Sequence, residues 1–412
     1  MARQYKIKRS PWRKGTYKAR THPLFVFLTI AVVGGLAYLG VIIYPPIHSA
    51  IMSWGENLPV RTQTEPEDIA PQAPVEGEAP DTSSARGPAG GLRAVYVPPA
   101  LLADSAAFDA FLDGLPGAGL NAVMVDIKDS EGNLLYTTQN ANAIAWEAVS
   151  PGAFDLGGLS ERLSARGIHL VARMSAFRDE RAARGNLDYA VTFRGPGTTW
   201  LDNFPTEGGR PWLNPHSPGA RQYITDLAVE AARLGAVLVV VDDFTFPPNS
   251  LTEDAYFGDT GGLSRAARLR DFAAALSAAV EGEGARLAVY LPGGAFAGPN
   301  DTLFGGPAGE VFLGGHLVLG ALPYQFPEGV WSEGLTIENP LENLENTVAQ
   351  IVMATRAQTQ AGLIVLLQGG SLPGGMAYTG EQIVAQIDRL GALGVEEFIF
   401  YSPVAGQYQL TQ

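Results

Sequence analysis

The stretch Val237-Leu238-Val239-Val240-Val241-Asp242-Asp243 limits what this chain can fold into more than any other. Five consecutive apolar residues cannot alternate between core and water, so they predict a strand buried on both faces, as in a parallel sheet. The run stops at two carboxylates. Buried charge is costly unless paired or hydrogen-bonded, so an acid pair at the end of a core strand marks either a structural ion pair or a site.

The same pattern recurs. Strands are predicted at Arg93–Val97, Ala122–Lys128, His169–Ser175, Ala236–Phe244, Arg286–Pro292, His316–Tyr324, Leu363–Gln368 and Glu397–Ser402. Helical periodicity fills the gaps at 104–112, 220–234, 263–280, 344–357 and 381–393, with Gly235 and Gly394 placed as C-terminal stops. Eight strands separated by helices over residues 91–412 predict an α/β fold, a (β/α)8 TIM barrel. An open doubly wound sheet is the alternative. Its dinucleotide-binding form loses its main support because Val97-Pro98-Pro99-Ala100 stands where a glycine-rich phosphate loop would be.

The formal net charge of -14 hides an asymmetry. Residues 1–22 carry eight basic residues and no acid, whereas residues from 91 onward hold 35 acidic and 18 basic ones. A domain this acidic is poorly suited to gripping a phosphate backbone, so nucleic acid is not expected as a partner. The absence of Cys excludes disulfides, thiol catalysis and Cys-ligated zinc. The three His residues outside the N-terminal region, His169, His216 and His316, lack zincin spacing, and no Gly-x-Ser-x-Gly elbow occurs. No metal or cofactor is expected.

Within 23–46, Leu24–Tyr44 is uncharged and long enough to cross the hydrocarbon layer, roughly 30 Å at about 1.5 Å per residue. The basic flank precedes it, which predicts a single-pass signal anchor with a cytoplasmic tail at 1–22 and the rest of the chain outside. Residues 47–90, rich in Pro, Glu and Ala, predict a disordered stalk.

Catalytic groups of such barrels sit at the C-terminal strand ends. Those ends supply Asp126, Lys128 and Asp129 after strand two, Arg173 and Ser175 on strand three, and Asp242 and Asp243 on strand four. Strands six to eight add Tyr324, Gln325, Gln368, Tyr401 and Ser402. Asp126 and Lys128, two apart, are expected on one strand face, while Asp242 and Asp243 must point to opposite faces. Trp146, Trp200, Trp212, Trp331 and Tyr378 lie in or beside the predicted loops. Aromatic platforms near a carboxylate pair point to carbohydrate more than to a small anion.

Five stretches carry a family resemblance: 121–132 (NAVMVDIKDSEG), 167–173 (GIHLVAR), 177–179 (FRD), 212–215 (WLNP) and 241–247 (VDDFTFP). In order, they resemble the bacterial putative glycosyl hydrolase domain family, a glycoside-hydrolase-like barrel. The likeness implies a site around the carboxylates of strands two and four, with Asp242 at the family's Asp. Thr245 stands where the family has Arg, and 284–300 contains none of the acid usual near strand five.

The expected function is a membrane-anchored extracellular glycoside hydrolase acting on a cell-envelope or exopolysaccharide glycan. Asp242 and Asp126 are the candidate catalytic pair, and Lys128, Asp129, Arg173, Asp243, Trp212, Tyr324, Gln368 and Tyr401 the candidate substrate-binding residues. The alternative is a degenerate barrel that binds glycan or an envelope protein without turnover. The oligomeric state does not follow from the sequence.

Overall fold

The computed structural model describes residue 88 and residues 90–247, 253–296, 301–326, 328–332, 335–370 and 378–402. The expected tail, membrane segment and nearly all of the stalk lie outside the described residues. Among the described residues, no helix is long and apolar enough to cross a membrane.

Eight parallel strands close on themselves. They are β1 (Arg93–Tyr96), β2 (Ala122–Lys128), β3 (His169–Ser175), β4 (Ala236–Asp242), β5 (Arg286–Pro292), β6 (His316–Gly320), β7 (Gly362–Gln368) and β8 (Phe398–Tyr401). Each pairs with its sequence neighbour, and β1 pairs with both β2 and β8, so no edge remains. This is the (β/α)8 arrangement expected from the alternation.

Burial on two faces explains the continuous apolar strands. Leu238 and Val240 pack in a small cluster inside the barrel with Ala122, Met124, Val171, Ala288 and Ile364. Val239 and Val241 belong to the larger cluster between strands and helices. Each such side chain contributes about 1.5–3 kcal/mol by leaving water.

The outer layer comprises α1 (Ser105–Gly114), α2 (Leu156–Ser164), α3 (Pro218–Arg233), α4 (Arg265–Glu281), α5 (Leu344–Arg356) and α6 (Gly380–Ala392). Local chemistry sets their ends. The Asp104 carboxylate accepts from the Ala107 amide at the start of α1, and Thr379 and Gln382 form a reciprocal capping box on α6. Gly235, at φ 103°, follows α3 where a Cβ would stand 2.1 Å from Ser160 Oγ, so both backbone and space require glycine.

Two strands, β4 and β6, end two or more residues earlier than the sequence pattern predicts. β4 stops at Asp242 because Asp243 takes φ 50°, a left-handed conformation that leaves the extended ladder. β6 stops at Gly320, and Pro323 then opens a short 3-10 turn because it has no N–H to continue the pairing. The segment after β2 holds two unpredicted short strands, Leu134–Tyr136 and Val149–Phe154, which extend the sheet outward from β2.

Candidate active site at the C-terminal end of the barrel

Strand register brings the polar residues together. Asp126 on β2 lies opposite Arg173 on β3, and Ser175 on β3 lies opposite Asp242 on β4. Arg173 is thereby set between two carboxylates. Its Nη2 donates to Asp242 Oδ2 at 2.8 Å, and its Nη1 stands 3.6 Å from Asp126 Oδ1. Tyr96 of β1 closes the other side, with its hydroxyl donating to Asp126 Oδ2 at 2.7 Å.

The left-handed turn at Asp243 has a use here. It aims the Asp243 amide at Asp242 Oδ1, 2.7 Å away, so both oxygens of Asp242 are held. The Asp243 carboxylate turns elsewhere and accepts from Ser175 Oγ at 2.7 Å. The adjacent acids thus have different partners, Arg173 for Asp242 and Ser175 for Asp243.

Burial pushes the Asp126 carboxyl above the usual carboxylate range; Arg173 and Tyr96 oppose that shift and Asp242 adds to it. Burial acts against the Arg173 charge, but Asp126 and Asp242 hold it firmly cationic. Burial also raises Tyr96 and Tyr290, so both are neutral hydroxyl donors near neutral pH.

Asp242 and Arg173 line a cavity of about 170 Å³ in the mouth of the barrel. Met124, Val240, Val318 and Leu366 form its apolar floor, one layer below the strand ends. Tyr290, Tyr324 and Tyr401 supply aromatic wall, with Gln325 beside them. Tyr324 is 37% exposed. Asp126 borders a separate cavity of about 110 Å³ beside the β1 loop, while Arg173, 3.6 Å from Asp126, lines the main one. A larger cavity, about 370 Å³, lies between α4 and the outer side of β5 and β6, away from the strand-end carboxylates.

Of the candidate residues, the structure gathers Asp126, Arg173, Asp242, Tyr324 and Tyr401. It places the others apart. Lys128 does not share a face with Asp126, because the β2/β3 register shifts between them, and its ammonium is buried against Asp179 at 2.8 Å. Asp129 folds the following turn, accepting from the amides of Glu131 and Asn133 and from the Asn133 side chain. Asp243 is held by Ser175, and Gln368 is buried with its amide donating to the Gly370 carbonyl.

The tryptophans are packing residues where they are described. Trp212 is buried with its Nε1 donating to Asp202 Oδ2 at 3.0 Å, Trp200 is buried, and Trp146 sits edge-on to Tyr189 and Tyr223. The Trp331 side chain lies outside the described residues. Trp212→Phe therefore costs about 1.5–3 kcal/mol of stability through the lost bond to a charged group. Thermal melting measures that loss, while glycan affinity of the folded variant stays unchanged.

Tyr96 and Tyr290 are functional candidates that strand-end reading misses. Tyr96 is the last residue of β1 and Tyr290 sits within β5, both at inward positions, and Tyr290 occupies the side of the cavity where the fifth-strand acid was sought. Gly320 makes room for it, since a Cβ there would stand 2.7 Å from Tyr290 Oη. Among the described residues, no group of three or more His, Asp or Glu side chains could hold a metal ion.

The family model described as "Putative glycosyl hydrolase domain" matches residues 94–408. Among curated proteins none matches. Among solved structures, the cycloalternan-degrading enzyme of Trueperella pyogenes is 14% identical with a TM-score of 0.50, the likeness covering 80% of this chain and 44% of that one. The PgaB (BpsB) glycoside hydrolase domain of Bordetella bronchiseptica is 16% identical with a TM-score of 0.48, over 76% of this chain and 94% of that one. A hypothetical protein of Ruminiclostridium thermocellum is 22% identical with a TM-score of 0.42, over 47% and 96%.

Proposed function

Since this chain belongs to the putative glycosyl hydrolase domain family, we propose that it is a membrane-anchored, extracellular glycoside hydrolase acting on a cell-envelope or exopolysaccharide glycan. The observation that carries the catalytic reading is the convergence of Asp126 and Asp242 on the single guanidinium of Arg173, beside a tyrosine-walled cavity. One guanidinium touching both keeps their nearest oxygens within roughly 9 Å, a spacing at which two carboxyl groups can serve one glycosidic bond. The anchor and outward orientation rest on the uncharged 24–44 stretch and its basic flank.

In this mechanism Asp242 lines the cavity and acts as nucleophile or general base. Asp126, its carboxyl raised by burial, is the proton donor to the leaving oxygen. Arg173 fixes the spacing of the pair, and the tyrosine hydroxyls offer hydrogen bonds to sugar hydroxyls. The test is release of reducing ends from envelope glycans by the purified full chain. No release from any such glycan, with Asp242→Asn indistinguishable from the unaltered protein, sinks the enzymatic reading.

The proton donor has its own signature. Asp126 must be protonated to act, so activity falls as pH rises through its pKa. Tyr96 donates to the ionised carboxylate and so lowers that pKa. Tyr96→Phe is expected to move the alkaline limb of kcat/KM to higher pH; a limb that stays in place assigns the proton to another group.

A second reading, glycan binding without turnover, is favoured by the position of Arg173. It engages both carboxylates and lines the main cavity, which Asp126 does not. Calorimetry with glycan fragments that shows binding without any reducing-end release supports that reading.

A further inference from the structure

The shape and charge of the β4 cavity define what it can hold. Its volume, about 170 Å³, is below the roughly 300–1,000 Å³ of sites that enclose drug-sized ligands. It is also a dead end. Met124 and Val240 are each 1% exposed beneath it, and Val318 and Leu366 complete a floor of packed barrel core. Among the described residues this floor closes the inner side of the cavity, so a bound unit enters and leaves by the mouth of the barrel. Room for one ring and a closed floor suit a chain end, with the rest of the chain leaving past Tyr324.

Charge narrows the choice further. Arg173 is the one cationic side chain among the described residues that line the cavity, and its Nη1 and Nη2 already face Asp126 and Asp242. A sugar acid would bring a third carboxylate toward Asp242, in a partly buried place where like charges repel strongly. The hydroxyls of Tyr290, Tyr324 and Tyr401 and the Gln325 amide recognise uncharged hydroxyl groups instead.

We infer that this cavity binds the terminal unit of a glycan chain, a single sugar ring without an acid group, so that the protein acts from chain ends. The inference rests on the glycan-acting reading above and specifies its substrate class. Gly320 sets the width of the cavity through the room it leaves for Tyr290.

Calorimetry on the full chain in detergent tests it without requiring turnover. The probes are glucose, galactose, mannose and N-acetylglucosamine, the linear hexamers of each, and glucuronic and galacturonic acids. At least one neutral sugar is expected to bind at one site per chain, its hexamer binding less than about tenfold more tightly. The acids bind at least about tenfold more weakly than the matching neutral sugar. Tyr290→Trp, which fills the cavity, and Gly320→Ala, which pushes Tyr290 into it, each weaken sugar binding while the melting transition confirms a folded barrel. A hexamer preferred by more than tenfold, sugar acids bound as well as neutral sugars, folded variants with unchanged affinity, or no sugar bound at all overturns the inference. Single-sugar binding with no hydrolysis removes the catalytic reading alone, and early release of mid-length fragments removes the chain-end inference alone.

Discussion

Lys128→Ala is expected to lower the stability of the barrel by about 3–5 kcal/mol, the cost of leaving a buried charge without its partner. The Lys128 and Asp179 side chains are both inaccessible to solvent, with 2.8 Å between Nζ and Oδ2. The same ammonium donates to the carbonyls of Ser175 and Ala176 at 2.6 and 3.4 Å, fastening β2 to the end of β3. Asp179 Oδ1 caps the short helix Glu180–Gly185 by accepting from the Ala182 amide, and among the described residues its Oδ2 has no hydrogen-bond donor besides Lys128. Alanine at 128 would strand that carboxylate and two carbonyls. Urea denaturation measures the loss, and a change below about 1 kcal/mol would falsify the buried-pair account. Lys128→Met combined with Asp179→Asn should lose less than the sum of the single changes, because no unpaired charge remains.

Why the sequence misplaces Lys128 shows what kind of information it carries. Strands were legible because burial on both faces leaves a continuous apolar run, and the run at Val237–Val241 divides its side chains between the inner and outer clusters. The location of Asp242 followed from the same run. Face assignment beyond a strand's regular part was not legible, because it assumes an unbroken two-residue alternation, and the register shift between Asp126 and Lys128 breaks it. Asp129 illustrates a different limit. A carboxylate near a strand end can serve a site or fold a turn, and only the three donors gathered on it decide for the turn. Trp212 fails as a platform for a third reason. Its partner Asp202 lies in the irregular stretch before it, whose path no periodicity describes. Tyr96 and Tyr290 were hidden because they read as ordinary strand residues, and only closure of the barrel brings β1 and β5 to the same mouth.

Asp242→Asn carries the largest expected functional effect, a fall in kcat of roughly 10²–10⁴-fold, the range for a positioned acid–base group. The substitution keeps the side chain's size and one oxygen, so the Asp243 amide can retain an acceptor and the fold is expected to persist. Arg173 loses its 2.8 Å carboxylate partner but keeps Asp126. With one acid neutralised, Arg173 gives Asp126 the stronger share of its field, and the lost Asp242 charge no longer raises it. Both changes lower the Asp126 pKa and deplete the proton donor, so residual activity shifts toward acid pH. Asp243→Asn supplies the contrast, since that side chain is bound to Ser175 and does not line the cavity. Its kcat is expected to stay within about tenfold of the unaltered protein. Steady-state kinetics across pH on the two variants separates neighbouring acids that sequence alone treats alike; a loss at Asp243 equal to that at Asp242 moves the chemistry out of the β4 cavity.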